Sequence, residues 1–396
     1  MFKKWDNISK ISLIYFFSSL YFYLPVLTIY YQQKGLSFLE IGSLWGIVTF
    51  TVFLAEVPTG LLADRFGRKK SIIFALLFQV VGEILFLFAG NYLHFVLINI
   101  IAAIGFAFQS GCMQAMVYDF LKDKKREQEM KKIWGNINAF GQAGFILGAL
   151  VSTFAVTSTI PPQIYFCIVM TIVSVSIALI ISLLLKEPKN KYLHPEQSPI
   201  TILKVSLHLI TSNPLLRRII LFGLFTTPFL AFLNTFQPPY FELSNISLSW
   251  LGISRAVAGI IAIVFLRYAY KMENIFKENG VLIATLIPAF FYFLMSFIFH
   301  PIIGTMLFIL NYSSQRLQEP LLADYYNIHI TSDVRATTLS AINMLSSIYV
   351  AIMGLIVGAI ADLSLPLTFL FIGIVILIGS LAFRLNKNHV SSQLVK

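Results

Sequence analysis

Cysteine, histidine and acidic residues are scarce in this chain. Its 396 residues include 2 cysteines, 6 scattered histidines and 18 acidic residues, and they contain no P-loop, GxSxG or zinc-ligand spacing. This shortage argues against a disulfide-stabilised domain, a metal centre of clustered carboxylates or imidazoles, and ATP-driven or hydrolytic chemistry. We therefore expect neither an enzyme nor a bound cofactor or metal. Charged residues make up only 12% of the chain, too few for the surface of a soluble domain.

Long apolar stretches dominate the sequence instead. Apolar residues account for 57% of the chain, and twelve stretches reach the length that a bilayer requires. Numbered as spans 1 to 12, they cover residues 11–31, 40–60, 71–90, 94–116, 133–157, 164–185, 217–240, 248–270, 281–299, 302–322, 337–361 and 366–384. Backbone groups in lipid must be satisfied internally, and the alternating strands of a barrel are absent. The sequence therefore predicts an all-α membrane protein with twelve transmembrane helices.

The net charge of +11 follows the predicted topology. With the N-terminus inside, all but three of the 29 lysines and arginines fall in cytoplasmic segments. The exceptions are Lys34 in an external loop, and Arg255 and Arg316 inside spans. By the positive-inside rule both termini are expected in the cytoplasm, and no nucleic-acid partner is expected. Cys112 and Cys167 lie in spans, and the first apolar stretch lacks a cleavage site, so neither a disulfide nor a cleaved signal peptide is expected.

A proline-rich segment divides the spans into six and six. We predict an N-terminal six-helix bundle at 1–185, a cytoplasmic linker at 186–216 and a C-terminal six-helix bundle at 217–396. A shift of 210 residues also aligns Tyr30-Tyr31 with Tyr240-Phe241, and Ile41-Gly42 with Leu251-Gly252. Such an internal repeat is typical of transporters with a substrate site between the halves, near the membrane midplane.

The most specific pattern is the basic run GLLADRFGRKK, residues 60–70, between spans 2 and 3. Its glycines allow close backbone approach, its basic residues hold the run in the cytoplasm, and a carboxylate at the edge of the hydrocarbon needs a cationic partner. The run resembles the signature loop of the major facilitator superfamily at Gly60, Asp64, Gly67, Arg68 and Lys69. This resemblance implies two pseudo-symmetric six-helix bundles.

The resemblance also implies a cytoplasmic latch. Asp64 would close it against span 11 in the outward-facing state and release it when the cytoplasmic side opens. Asp119, at the end of span 4, is the candidate partner of Arg68; the alternative is a surface carboxylate beside Lys122. With Glu56 included, the run resembles a bacterial branch with the pattern E-[IV]-P-T-G-x-x-A-D-R-x-G-R-K, which contains efflux proteins. A bacterial inner membrane is the location that this resemblance implies.

Glycines recur in spans 5 and 11. Gly135, Gly144 and Gly148 resemble the first half of a glycine motif in span 5 of the superfamily's drug–proton antiporters, although the following positions depart from it. Gly354 and Gly358 offer similar small-residue spacing in span 11. Close helix packing explains these glycines as well as an antiport seal does.

Ionisable residues at membrane depth are functional candidates. Glu83 lies near the midplane of span 3, where a carboxyl is costly unless it is protonated or paired. Glu83 and Glu56 are therefore candidates for coupling to protons, with an interhelical hydrogen bond or a structural ion pair as the alternative. Arg316 and Glu319 share a face of span 10 and are expected to pair, so Arg316 either stabilises that pair or recognises an anionic substrate. Arg255 in span 8 is a further buried charge.

Amides and tyrosines gather in the central spans. With Arg316 and Glu319, the candidates for lining a substrate cavity are Tyr21, Tyr23, Gln109, Gln114, Asn234, Gln237, Asn311, Tyr312 and Gln315. Such a lining suits an amphipathic organic molecule with several hydrogen-bonding groups, and not a bare metal ion.

These patterns predict a monomeric secondary active transporter that works by alternating access in the lipid bilayer. We expect it to couple protons to the export of a small amphipathic compound, such as a drug-like molecule, a metabolite or a siderophore. Proton-coupled uptake of a nutrient or metallophore, with the same fold and latch, is the alternative. A membrane sensor or scaffold is disfavoured, because it needs no buried charges together with a latch.

Overall fold

The computed structural model describes residues 6–157, 161–188, 201, 204, 208, 212–276, 279–330 and 335–386. The side chains of a few residues inside helices, among them Asp64 and Glu319, lie outside this description. The described secondary structure is helical, and no strand occurs in it. This confirms the all-α fold.

Fifteen helices account for the described chain. They are α1 (Asn7–Ser18), α2 (Leu27–Gln33), α3 (Phe38–Phe66), α4 (Arg68–Leu87), α5 (Tyr92–Asp123), α6 (Met130–Ala155), α7 (Pro161–Leu183), α8 (Pro214–Thr226), α9 (Phe229–Leu243), α10 (Trp250–Phe276), α11 (Asn279–Met295), α12 (Pro301–Gln315), α13 (Gln318–His329), α14 (Arg335–Leu363) and α15 (Leu365–Ala382). Two short 3-10 turns, Leu24–Val26 and Glu127–Glu129, precede α2 and α6. Each of the twelve predicted spans contains one or two of these helices.

Nine helical segments in the described residues are long and apolar enough to cross a membrane. The predicted spans that miss this length are span 1 and span 10, each split into two short helices, and span 9, which α11 fills with 17 residues. Large apolar side chains on the surface fit a lipid environment: Phe88, Phe154 and Leu363 are 74%, 79% and 83% exposed.

The breaks in the helices are held by side chains from other helices. In span 1, Thr171 Oγ1 accepts a hydrogen bond from the backbone N–H of Phe22 at 3.1 Å, and Ser174 Oγ donates to the Phe17 carbonyl at 2.7 Å. In span 7, the Tyr292 hydroxyl donates to the Phe229 carbonyl at 2.7 Å. These bonds supply partners near the breaks, which a bilayer interior requires.

The chain divides into two compact units. The first comprises Met1–Leu36 and Ile47–Gln197, and the second comprises Ser37–Gly46 and Ser198–Lys396. The division along the chain falls inside the predicted linker, most of which lies outside the described residues. The first turns of α3 belong to the second unit, an assignment that the predicted domain boundaries do not contain.

In the first unit α1 packs on α6 and α7, and α4 packs on α5 and α7. Glycines of α6 allow this approach. A Cβ atom at Gly144 would clash with the Phe16 carbonyl oxygen, and one at Gly148 would lie 3.0 Å from the Tyr21 carbonyl oxygen. Gly135, on the same helix, faces open space.

The basic run between spans 2 and 3 is more helical than the sequence suggests. Residues 60–66 continue α3, and α4 begins at Arg68, so the turn consists of Gly67 alone. Leu61, Leu62 and Ala63 are good helix formers, and Gly67 has φ +97°, a left-handed conformation that glycine adopts without strain.

In the second unit α11 packs on α15 and α12, and α10 packs on α12. The first turns of α3 lie against α14. A Cβ atom at Gly354 would lie 2.8 Å from the Gly42 carbonyl oxygen, and one at Gly358 would lie 2.5 Å from the Phe38 carbonyl oxygen. The Asp362 carboxylate accepts hydrogen bonds from the Phe38 and Leu39 N–H groups at 2.6 and 3.0 Å.

The tight glycines give a first prediction. We expect Gly144→Ala to destabilise the protein by about 1–3 kcal/mol, because the added methyl group meets backbone that cannot move aside. Gly135→Ala is the matched control on the same helix, and it should be neutral or stabilise by up to about 1 kcal/mol through helix propensity. The measurement is the thermal unfolding midpoint of each purified protein in detergent. Equal midpoints for the two variants would contradict the packing of α6 on α1.

Candidate functional site

Arg68 and Asp119, the two residues predicted to pair in the latch, lie next to each other. Arg68 Nε is 4.0 Å from Asp119 Oδ2, and the two side chains are 10% and 2% exposed. Arg68 begins α4, and Asp119 belongs to the last turns of α5, so the packing of α4 on α5 brings them together. At this burial an ion pair is shielded from water and is sensitive to loss of either partner.

Glu187 joins this site, although the sequence pattern does not include it. Its carboxylate accepts hydrogen bonds from the N–H groups of Arg68 and Lys69 at 2.6 and 2.9 Å, which caps the first turn of α4. A Cβ atom at Gly67 would lie 2.7 Å from Glu187 Oε1, so only glycine leaves room for this carboxylate. This contact with Glu187 is a physical reason for a glycine at position 67.

The other latch candidates are less informative. Gly60 is buried within α3, and Glu56 is exposed on the same helix. The side chain of Asp64 lies outside the described residues, so its place in the latch stays a prediction.

Glu83 faces protein and not lipid. Its side chain is 8% exposed on α4, and the Tyr23 hydroxyl lies 2.9 and 3.0 Å from its two carboxyl oxygens. Tyr23 belongs to the break between α1 and α2, and its ring stacks on Phe86 with centroids 5.0 Å apart. No cationic side chain contacts Glu83 among the described residues. The carboxyl is therefore held by a hydrogen bond, and not by an ion pair.

A cavity of about 430 Å³ opens in the first unit, a size typical of small-molecule sites. The described residues of its wall include tyrosine, serine and amide side chains and no charged residue. The lining residues are Tyr15, Ser18, Ser19, Tyr21, Leu24, Phe106, Gln109, Asn138, Gly141, Gln142 and Phe145. Of the predicted cavity residues, Tyr21 and Gln109 belong to this wall, whereas Gln114 is exposed elsewhere on α5.

Two contacts connect the cavity to α4. The Tyr21 ring in the wall meets the Tyr23 ring edge to face, with centroids 6.0 Å apart, and Tyr23 binds Glu83. Gln109 in the wall accepts a hydrogen bond from Gln79 Nε2 at 2.6 Å. Gln79 and Glu83 are four residues apart and share one face of α4. The sequence offers no sign of these connections, because α1, α4 and α5 are separated by loops.

In the second unit the predicted polar residues form two groups. Asn234 and Gln237 on α9 bind Arg255 of α10. On α12, Gln315 donates to Asn311 Oδ1 at 2.9 Å and approaches the Tyr292 hydroxyl at 3.4 Å. Asn311 is fully buried and Gln315 is 6% exposed, so the second group lies inside the packed unit.

Arg316 lies at the break between α12 and α13. Its Nη2 is 3.4 Å from the Tyr312 hydroxyl, and its guanidinium lies over the Tyr312 ring, 5.6 Å from the centroid. The side chain of Glu319 is outside the described residues, so the predicted pair of Arg316 and Glu319 stays a prediction.

Comparisons with known proteins identify the family of this chain. The profile of the Major Facilitator Superfamily matches residues 11–352. The chain belongs to the Major Facilitator Superfamily. An uncharacterised MFS-type transporter of Bacillus subtilis, YxaM, is 24% identical over 386 residues, which cover 94% of each chain. The quinolone resistance protein NorA of Staphylococcus aureus is 23% identical over 258 residues, or 64% of this chain and 63% of NorA.

Solved transporter structures have the same fold. The nucleoside transporter NupG superposes with a TM-score of 0.79 over 96% of this chain and 98% of NupG, at 14% identity. A bacterial homologue of the lysosomal transporter Spinster superposes with a TM-score of 0.71 over 97% of this chain and 96% of that chain, at 15% identity. The protein is thus a multi-pass membrane transporter of the MFS fold, and not an enzyme.

The geometry of the latch gives a second prediction. Arg68→Ala removes the guanidinium beside Asp119 but keeps the backbone N–H that Glu187 binds, so we expect normal insertion and expression. Transport should fall about tenfold for every 1.4 kcal/mol by which the balance between conformations shifts. Asp64→Asn should act in the same direction. Uptake or efflux by reconstituted protein measures the effect.

Arg126→Ala is the control. Arg126 is an exposed arginine that follows α5, and it pairs with Glu129 at 2.6 Å. This variant should transport like the wild type. Near-wild-type transport by Arg68→Ala would remove the latch from the mechanism.

Proposed function

We propose that this protein is a proton-coupled exporter of a small amphipathic organic compound, located as a monomer in a bacterial inner membrane with both termini in the cytoplasm. The observation that carries the proposal is the buried carboxyl of Glu83 beside an uncharged polar cavity. The cavity supplies a place for a compound, and Glu83 supplies a group that can hold a proton. Both lie in the first unit.

Proton coupling follows from the environment of Glu83. A carboxylate so far from water, with only a phenol as its partner, is costly in its charged form. Taking up a proton removes that cost and turns the group into a hydrogen-bond donor, so the Tyr23 hydroxyl can reorient to accept. Tyr23 touches Tyr21 in the cavity wall. A change in the protonation of Glu83 can thus be transmitted to the bound compound through the rings of Tyr23 and Tyr21.

The wall of the cavity defines the kind of compound. Its tyrosine rings offer apolar faces, and its amides and hydroxyls offer both donors and acceptors. Because the described residues of this wall carry no charge, it favours a neutral, hydrogen-bonding part of the compound. Drug-like molecules and secreted metabolites have this character.

Export is favoured by the relationship to NorA. NorA is named as a quinolone resistance protein, and 64% of this chain aligns with it. A transporter that confers such resistance would export the compound, and the direction of flux tests this.

Reconstituted vesicles with an imposed pH gradient test the proposal and give a third prediction. The wild type should move at least one compound of an amphipathic panel against its gradient, in exchange for protons. Glu83→Gln should still bind the compound while the pH dependence of its flux is lost, because an amide keeps the contact with Tyr23 but cannot release a proton. Absence of pH-driven flux for every compound would refute the proposed function.

Glu56→Gln is the control for coupling. Glu56 is exposed on α3, so its neutralisation should leave the pH dependence intact. If Glu83→Gln keeps full pH-driven flux and Glu56→Gln does not, coupling lies at Glu56. Net uptake in place of efflux would assign the opposite direction to the same fold.

A fourth prediction concerns the orientation of the protein in the membrane. A cysteine introduced at the exposed residue Gln33 should react with a membrane-impermeant thiol reagent applied to intact cells, whereas one at the exposed residue Gln128 should not. Cys112 and Cys167 are buried, so the parent protein is the background control. Labelling in the reverse pattern would place both termini outside.

A further inference from the structure

Arg255 is a buried arginine that the proposed coupling does not use. It lies in the second turn of α10, and its side chain is 8% exposed. Two hydrogen bonds hold the guanidinium: Nε donates to Gln237 Oε1, and Nη2 donates to the Asn234 carbonyl at 2.9 Å. Both acceptors are neutral. A guanidinium has five N–H donors, so three of them have no acceptor among the described residues.

The two hydrogen bonds have a local cause. Pro238 has no N–H, so the Asn234 carbonyl four residues earlier lacks its helical donor, and Arg255 replaces it. The Gln237 amide is oriented by its own donations to the Leu251 carbonyl at 3.2 Å and to Ser254 Oγ at 2.8 Å. Its oxygen is therefore directed at Arg255. The guanidinium is fixed before any ligand arrives.

These bonds explain why a hydrogen-bond donor is needed at position 255, but they do not explain why that donor is positively charged. A neutral amide in place of Arg255 would also satisfy the Asn234 carbonyl. An unpaired cation in the bilayer is costly, and such groups are retained where they pair or bind a ligand. No ion pair joins Arg255 to a described carboxylate of the second unit: Asp362 caps α3, Glu40 accepts from the Ser37 N–H at 2.9 Å, and Glu242 is exposed at the end of α9.

We propose that Arg255 is an anion-binding residue of the second unit that takes the carboxylate of an amphipathic acid. This inference goes beyond the proposed function, which uses residues of the first unit. A carboxylate matches the free edge of a guanidinium and can receive two of its N–H groups, while Gln237 and Asn234 hold the other edge. The bound acid neutralises the charge that the described residues leave without an acidic partner.

Binding of a simple aryl carboxylate tests the assignment without any flux measurement, which separates its failure from that of the proposed function. The unfolding midpoint of the purified protein is followed with sodium benzoate, benzamide or inorganic phosphate at equal concentration and ionic strength. Benzoate should raise the midpoint in a saturable way, because a ligand that binds only the folded state stabilises it. Benzamide should not raise it.

Arg255→Gln keeps a side-chain donor for the Asn234 carbonyl and removes the charge, so it should lose the benzoate response, with an apparent affinity about 10- to 100-fold weaker. Arg267→Gln, at an exposed arginine of the same helix, removes one charge as well and should respond like the wild type. If Arg255→Gln does not yield folded protein, Arg255→Lys takes its place, with an affinity about tenfold weaker because an ammonium lacks the planar fork.

Three results would overturn the assignment. They are the absence of a benzoate response in the wild type, an equal response in Arg255→Gln, and stabilisation by phosphate in place of benzoate. The last result would assign a different anion class to the site. If neutral compounds are transported and benzoate causes no response, the proposed function stands and only the carboxylate site at Arg255 is refuted.

Discussion

The structure depends on one constraint: a helix interrupted inside a bilayer must find hydrogen-bond partners for the backbone that it frees. At the break in span 1, Thr171 of α7 binds the Phe22 N–H; in span 7, Arg255 of α10 binds the Asn234 carbonyl that Pro238 leaves without its helical donor. Each partner comes from a neighbouring helix of the same unit. The breaks are therefore part of the tertiary packing, since each of them is stable only where that neighbour is in place.

Several of the candidate site residues lie where helices are interrupted or contain proline. Tyr21 and Tyr23 lie in the interruption of span 1, which directs them to the cavity and to Glu83. Gln237 precedes the proline pair of α9, and Arg316 stands between α12 and α13. An unbroken helix buries its backbone and offers side chains alone, whereas an interrupted one also offers carbonyl and amide groups. The same offset of 210 residues separates Gln33 and Leu243, where α2 and α9 end.

The sequence predicts this architecture because bilayer thickness sets helix length, so all twelve apolar stretches contain helix. It also places Arg68 and Asp119 at one site through a motif. The breaks could not be predicted, since Ser19 or Pro228 within an apolar run is compatible with a continuous helix. Nor could Glu187 be assigned, because it caps a helix that begins 119 residues earlier. Sequence spacing reports contacts within one helix, whereas these contacts depend on how helices pack.

The two carboxylate caps show why such distant contacts suit a transporter. Asp362 binds the first N–H groups of α3, and Glu187 binds those of α4, so the helices on either side of Gly67 are both capped by side chains from remote segments. Charge-assisted bonds of this kind contribute about 1.5–3 kcal/mol each. A released N–H group at a helix end can bind water instead, so a cap can open without a buried penalty. Contacts of this strength at helix ends can favour one conformation and still be reversible, whereas the paired groups in the interior, Glu83 with Tyr23 among them, separate only when another partner replaces the first.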